Sequence, residues 1–109
     1  MKILVMKYFT GITLFLISLV GNSATFDDKK VKVIHSGDTR GCYFFQLEGV
    51  SQAGPEVPGN AWFAFDYERE SAQTAFSILL AAKSSGSTVK VNTNGNTMCG
   101  YVEVKNISI

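Results

Sequence analysis

The sequence predicts a small, mainly β domain: a five-stranded barrel with one helix, in the order β-β-β-α-β-β. Three observations carry this. Short runs that alternate apolar and polar residues recur between turn residues, which is the period of half-buried strands. One later stretch, SAQTAFSILLAAKSSG over 71–86, repeats its apolar residues at helical spacing instead. Both prolines fall in SQAGPEVPGN, which marks a loop.

Residues 1–24, MKILVMKYFTGITLFLISLVGNSA, set Lys2 and Lys7 ahead of an uncharged, largely apolar run from Tyr8 to Val20 that ends in small residues. That is the layout of a secretory signal peptide. The run is shorter than the roughly 20 apolar residues of a spanning helix. The expectation is a leader cleaved after Ser23 or Ala24 and a mature single domain over 25–109, secreted or periplasmic, with no membrane span after cleavage.

In the mature chain TFDDKK reads as a polar lead-in, and VKVIHSG as a first strand with Val31 and Val33 on one face, ending in a turn at Ser36–Asp38. CYFFQLEG is a second strand with Tyr43, Phe45 and Leu47 on one face and Phe44, Gln46 and Glu48 on the other. After the proline loop, AWFAFDYE is a third strand that points Phe63, Phe65 and Tyr67 one way and Trp62, Ala64 and Asp66 the other. The helix follows, with Ser71 as N-cap, Glu68 and Glu70 near its positive end, and a stripe of Ala72, Ala75, Phe76, Leu79 and Ala82. Gly86 supplies the left-handed stop. STVKVNT gives a fourth strand with Val89 and Val91 inward, NGNTMCG a turn-rich loop, and YVEVKNISI a fifth strand. Val102 and Val104 differ in parity from Ile107 and Ile109, so a bulge is expected near Lys105 or Asn106.

Five short strands with one helix between the third and fourth is the connectivity of the OB-fold, a Greek-key barrel that binds oligosaccharides or oligonucleotides on one face and its loops. The helix then plugs an open end of the barrel. A generic α+β sandwich with the same element order is the alternative.

Composition narrows the chemistry. The formal charge is +1, and loss of Lys2 and Lys7 leaves eight basic against nine acidic residues, a net −1. The basic residues are scattered, which argues against a nucleic-acid partner. Cys42 and Cys99 are the two cysteines. In an oxidising compartment a bridge between them closes a loop of about 57 residues, worth about 4 kcal/mol. The other reading is a pair of buried thiols. No Cys and His spacing suggests a metal site, and no cofactor motif is present. His35, Ser36 and Asp38 have the residue types of a nucleophilic triad but are neighbours in one turn, so the expectation is a non-enzymatic protein.

The aromatics point to binding. Alternation cannot bury both parities of the second and third strands in one small barrel, so Phe44 and Trp62 fall outside. There they form either a ligand platform or subunit interface, or a patch that the helix or the proline loop covers. With the polar residues Asp27, Ser51 and Gln52 nearby they make the candidate binding set, and the partner class is a glycan or a protein surface. A periplasmic inhibitor or stress protein acting through SQAGPEVPGN is the second reading, because stiff loops lose little entropy on docking.

The stretch IHSGDTRGCYFFQLEGVSQAG, together with SAQTAFSILLAAKSSGSTVKV and CGYVEVKNISI, resembles small exported OB-fold proteins related to the B subunits of subtilase-cytotoxin and pertussis-like toxins. The resemblance implies a non-enzymatic, glycan-binding subunit that assembles as a homo-pentamer. It also implies a sialic-acid pocket built on a serine just before the first strand. Asp27 stands at that place here, and its carboxylate repels a ligand carboxylate. Cys42 likewise lies ahead of the family's strand cysteine.

Overall fold

The computed structural model describes residues 23–37 and 39–109. Residues 1–22, most of the leader expected over 1–24, and Asp38 lie outside the described residues. The elements are β1 (Thr25–His35), β2 (Cys42–Leu47), β3 (Phe63–Asp66), α1 (Ala72–Ser85), β4 (Thr88–Met98) and β5 (Tyr101–Ser108). The strands close in a ring in the order β1-β2-β3-β5-β4, with β3 and β5 parallel and the other neighbours antiparallel. Among the described residues this is the predicted element order, closed as a five-stranded OB-like barrel with one helix.

Closure rests on β1, which is longer than expected. TFDDKK is its first half: Thr25 to Lys30 pair with β4, and Val31 to His35 pair with β2. One strand thus serves two neighbours, and irregularities at Phe26–Lys29 and Val31–Val33 let it turn between them. The second irregularity also moves Val33 off the core face. Val31 is buried, Ile34 packs against the core, and Val33 stays half-buried.

The interior is filled by Tyr43, Phe45, Leu47, Phe63 and Phe65 from β2 and β3, with Val89, Val91, Val102 and Val104 from β4 and β5. Phe45 and Phe63 stack at 5.0 Å between centroids, and Tyr43 and Phe65 at 5.4 Å. Ala72, Ala75, Leu79 and Ala82 of α1 are buried in the same cluster. Their small side chains let the helix sit close to the barrel as a plug, and Lys83 ties it to β1 by donating to the Lys32 carbonyl at 3.0 Å.

The helix ends are simpler than the sequence suggested. Ser71 occupies the N-cap position but its side chain makes no capping bond, and Glu68 and Glu70 precede a first turn that holds no acid. At the other end Gly86 adopts φ 72° and donates its N–H to the Ala82 carbonyl, as expected.

Two features of β4 and β5 position the site. The predicted bulge falls at Lys105, since Asn92 pairs with Asn106 and Thr93 with Val104. Arg69 donates to the carbonyls of Val104 and Lys105 there, with its guanidinium 4.3 Å above the Phe65 ring. Ile107 is thereby returned to the core, while Ile109 is 69% exposed. The second feature corrects the sequence reading. NGNTMCG is mostly strand, for β4 runs through a kink at Gly95 to Met98, and the turn is only Cys99 and Gly100, at φ 53° and 85°. The result is a long β4–β5 hairpin whose tip packs on the outer face of β2 and β3.

Candidate functional site: the outer face of β2 and β3

The tip of that hairpin folds back across β3. Ala64 faces outward between Trp62 and Asp66, and its small side chain leaves room for the crossing. Cys99 in the turn is bonded to Cys42 at the start of β2, with Cα atoms 6.5 Å apart. Strand order alone places these cysteines on non-neighbouring strands. The fold-back of the hairpin is what brings them together, and it resolves the two sequence readings in favour of the disulfide.

A second, smaller hydrophobic cluster forms under the tip. Cys42, Phe44 and Ala64 are buried, and Trp62, Met98, Cys99 and Tyr101 pack on them. Phe44 lies on the outer face as the parity requires, but it is 3% exposed rather than open to solvent. Neither the helix nor the proline loop covers it. Tyr101 meets its ring edge-on at 5.1 Å, and the Arg40 guanidinium lies 4.7 Å above it and 5.4 Å from the Tyr101 ring. Phe44 is therefore the base of the platform, and its upper surface is made by Trp62, Tyr101, His35 and Arg40. Trp62 and Tyr101 are half-buried at 6.4 Å between centroids, and His35 stands 6.3 Å from Trp62.

Two loops hold this surface. The end of β1 and the loop that follows it supply His35 and Arg40, and the β4–β5 turn supplies Cys99. The disulfide and a 3.2 Å bond from Arg40 to the Cys99 carbonyl lock them together. His35 Nδ1 accepts the Gly37 N–H at 2.9 Å, so in the neutral ring Nε2 carries the proton. Ser36 lines a different cleft, with Tyr43 and Tyr67, away from the His35 ring contacts. Asp38, the third member of the sequence triad, lies outside the described residues.

The remaining candidates divide. Gln52 and Ser51 are exposed in the loop between β2 and β3. Gln52 Oε1 accepts the Gly59 N–H at 2.8 Å, while Asn60 accepts from Ala53 and Trp62, so this loop is tied to the edge of the platform. Asp27 is not part of it. It sits in the β1 irregularity opposite β4, eight residues before His35, about 25 Å along an extended strand. Tyr101 escaped the sequence reading because only the folded hairpin brings it to Phe44, and Arg40 because the β1–β2 loop turns it back over that ring. The one available clue was that a Cys42–Cys99 bond carries Tyr101 toward Phe44, two residues from each cysteine.

Among the described residues, no three His, Cys, Asp or Glu side chains gather as metal ligands would, and no helix is long and apolar enough to cross a membrane. Compared with protein-family models, curated proteins and solved structures, the chain matches none.

Proposed function

We propose that the protein is an exported, non-enzymatic binding protein that captures a glycan on the outer face of β2 and β3. The observation that carries this is the aromatic surface of Trp62 and Tyr101 over Phe44, edged by Arg40 and His35 and bounded by the β1–β2 and β4–β5 loops. OB barrels take oligosaccharides and oligonucleotides on this face and between these loops. The near-neutral mature chain favours a sugar over a polyanion. Aromatic faces stack on the C–H face of a pyranose while Arg40, His35 and the Gln52 loop supply polar contacts. The leader-like first 24 residues support export, and the resemblance to toxin B subunits supports assembly as a homo-pentamer. A glycan array with wild-type protein and Trp62→Ala tests the capture, and light scattering tests the assembly. Wild-type binding that Trp62→Ala abolishes is the expected result; equal binding by both rules the surface out.

A second reading has its own observation. The loop SQAGPEVPGN is internally ordered by bonds from Ala53 to Asn60, Asn60 to Val57 and Gly59 to Gln52, and it presents Pro55 and Pro58 to solvent. Such a loop suits docking into a partner protein as an inhibitor or stress protein does. A clean monomer that binds no glycan favours this reading.

A further inference from the structure

The β1–β2 loop has another side, which the glycan reading leaves unused. Between it and the start of α1 lies a cleft of about 370 Å³ lined by Ser36, Tyr43, Tyr67, Ala72, Gln73 and Phe76. We propose that this cleft is a second binding site, separate from the outer face of β2 and β3, and that it takes an uncharged aromatic small molecule of one or two rings.

Its shape and lining carry the assignment. The volume lies in the range of small-molecule pockets, and a dry cavity of about 150 Å³ already holds a benzene ring. Three of the six described lining residues are aromatic. Tyr43 meets Phe76 edge-on at 4.9 Å and Tyr67 at 6.1 Å with the rings tilted by 37°. Tyr67 is 46% exposed, unusual for a ring beside a buried aromatic cluster, so a ring entering the cleft covers apolar surface that is now wet. None of the six described lining side chains carries a charge at neutral pH, and burial holds the Tyr43 phenol in its neutral form. A charged ligand would lose water without gaining a counter-charge. Among the described residues the polar groups of the cleft are Ser36, Gln73 and the two phenols, too few to replace the hydration of a sugar, while one or two hydrogen bonds suffice for a phenol or an indole.

The wall is also held in place. A side chain at Gly37 would fall 2.6 Å from the Tyr67 hydroxyl, so the bare backbone of Gly37 is what lets Tyr67 stand against the loop. Gly37 in turn donates to His35 on the other surface. The two sites therefore share a loop but no lining residue.

The test is amide chemical-shift mapping on the disulfide-bonded mature protein with phenol and indole, using benzoate and methyl glucoside as charged and sugar controls. Saturable shifts at Tyr67, Gln73 and Phe76, without shifts at Trp62, are expected from phenol and indole only. Tyr67→Ala removes an exposed wall and Gln73→Trp fills the mouth from an exposed position; each is expected to weaken binding by about tenfold or more. Absence of saturable shifts, equal binding of benzoate, or unchanged affinity in both variants overturns the proposal. Shifts centred on Trp62 also overturn it, while leaving the glycan surface intact. Conversely, loss of glycan binding in Trp62→Ala with indole affinity unchanged supports two separate sites.

Discussion

Gly37 shows how a single residue sets both surfaces of the β1–β2 loop. It adopts φ 91°, a region that residues with a Cβ rarely enter, and a Cβ there would lie 1.8 Å from the Cys42 carbonyl oxygen. Gly37→Ala is therefore expected to lose about 3 kcal/mol in urea unfolding, through backbone strain and displacement of the loop. A loss under about 1 kcal/mol would mean the loop rearranges freely. Tyr43 makes a prediction in pH. Burial raises its phenol above the usual value near 10, with Arg69 opposing weakly, so the folded state binds that proton more tightly than the unfolded chain. Its contribution is fully present below pH about 10 and is lost as pH climbs beyond that toward the folded value. Thermal unfolding of wild type should weaken above pH about 10, and Tyr43→Phe should flatten that decline. Glu56 is the residue at odds with its surroundings. Both carboxylate oxygens are buried and have no hydrogen-bond partner among the described residues. Glu56→Gln keeps the shape and removes the charge, so it should raise stability by about 1 kcal/mol in the same unfolding assay. A loss instead would reveal a partner for the carboxylate.

At the scale of elements, the β4–β5 hairpin explains most of what differs from the sequence reading. Its pattern is weak because Asn94, Gly95 and Asn96 interrupt the alternation, and turn residues in that density read as a loop. The structure uses them differently. Gly95 kinks the strand, Asn94 donates to Glu103 across the hairpin at 2.7 Å, and the tip swings over Ala64. Pairing partners are not encoded in a local period, and so neither the burial of Phe44 nor the role of Tyr101 was legible. The lead-in TFDDKK was hidden for a related reason: four charged residues in succession mask a strand whose bonds are made by its backbone to β4. By contrast, the helix stripe, its Gly86 stop and the Lys105 bulge were legible, because each follows from spacing or parity within one segment. The disulfide makes the hairpin's role testable. Replacing Cys42 and Cys99 together by Ala should lower stability by about 4 kcal/mol in the chain-entropy account. Because the tip is then held by packing and by the Arg40 bond to the carbonyl at position 99 alone, Phe44 should also become more accessible and ligand capture weaken. A variant that loses stability but binds normally would separate the hairpin tip from the site.

For the molecule as a whole, one long strand closes the ring, one helix plugs it, and the surface left over is divided by the β1–β2 loop into an aromatic face and an aromatic cleft. Barrel class and element order were readable from the sequence because inward residues alternate on β2 and β3 and in the first halves of β4 and β5, and the helix interrupts them once. The platform was half readable. Parity placed Phe44 and Trp62 outside the barrel, but Asp27 belongs to another part of β1, and the covering residues come from across the chain. Binding on the outer face of β2 and β3 is the claim on which the functional account stands, and Trp62, the protein's single tryptophan, reports on it directly. Its fluorescence should be followed while the disulfide-bonded protein is titrated with the glycan that calorimetry shows to bind. The account expects a saturable change in Trp62 emission with the calorimetric dissociation constant, lost in Tyr101→Ala. Glycan binding measured by calorimetry with the Trp62 spectrum unchanged throughout would contradict it.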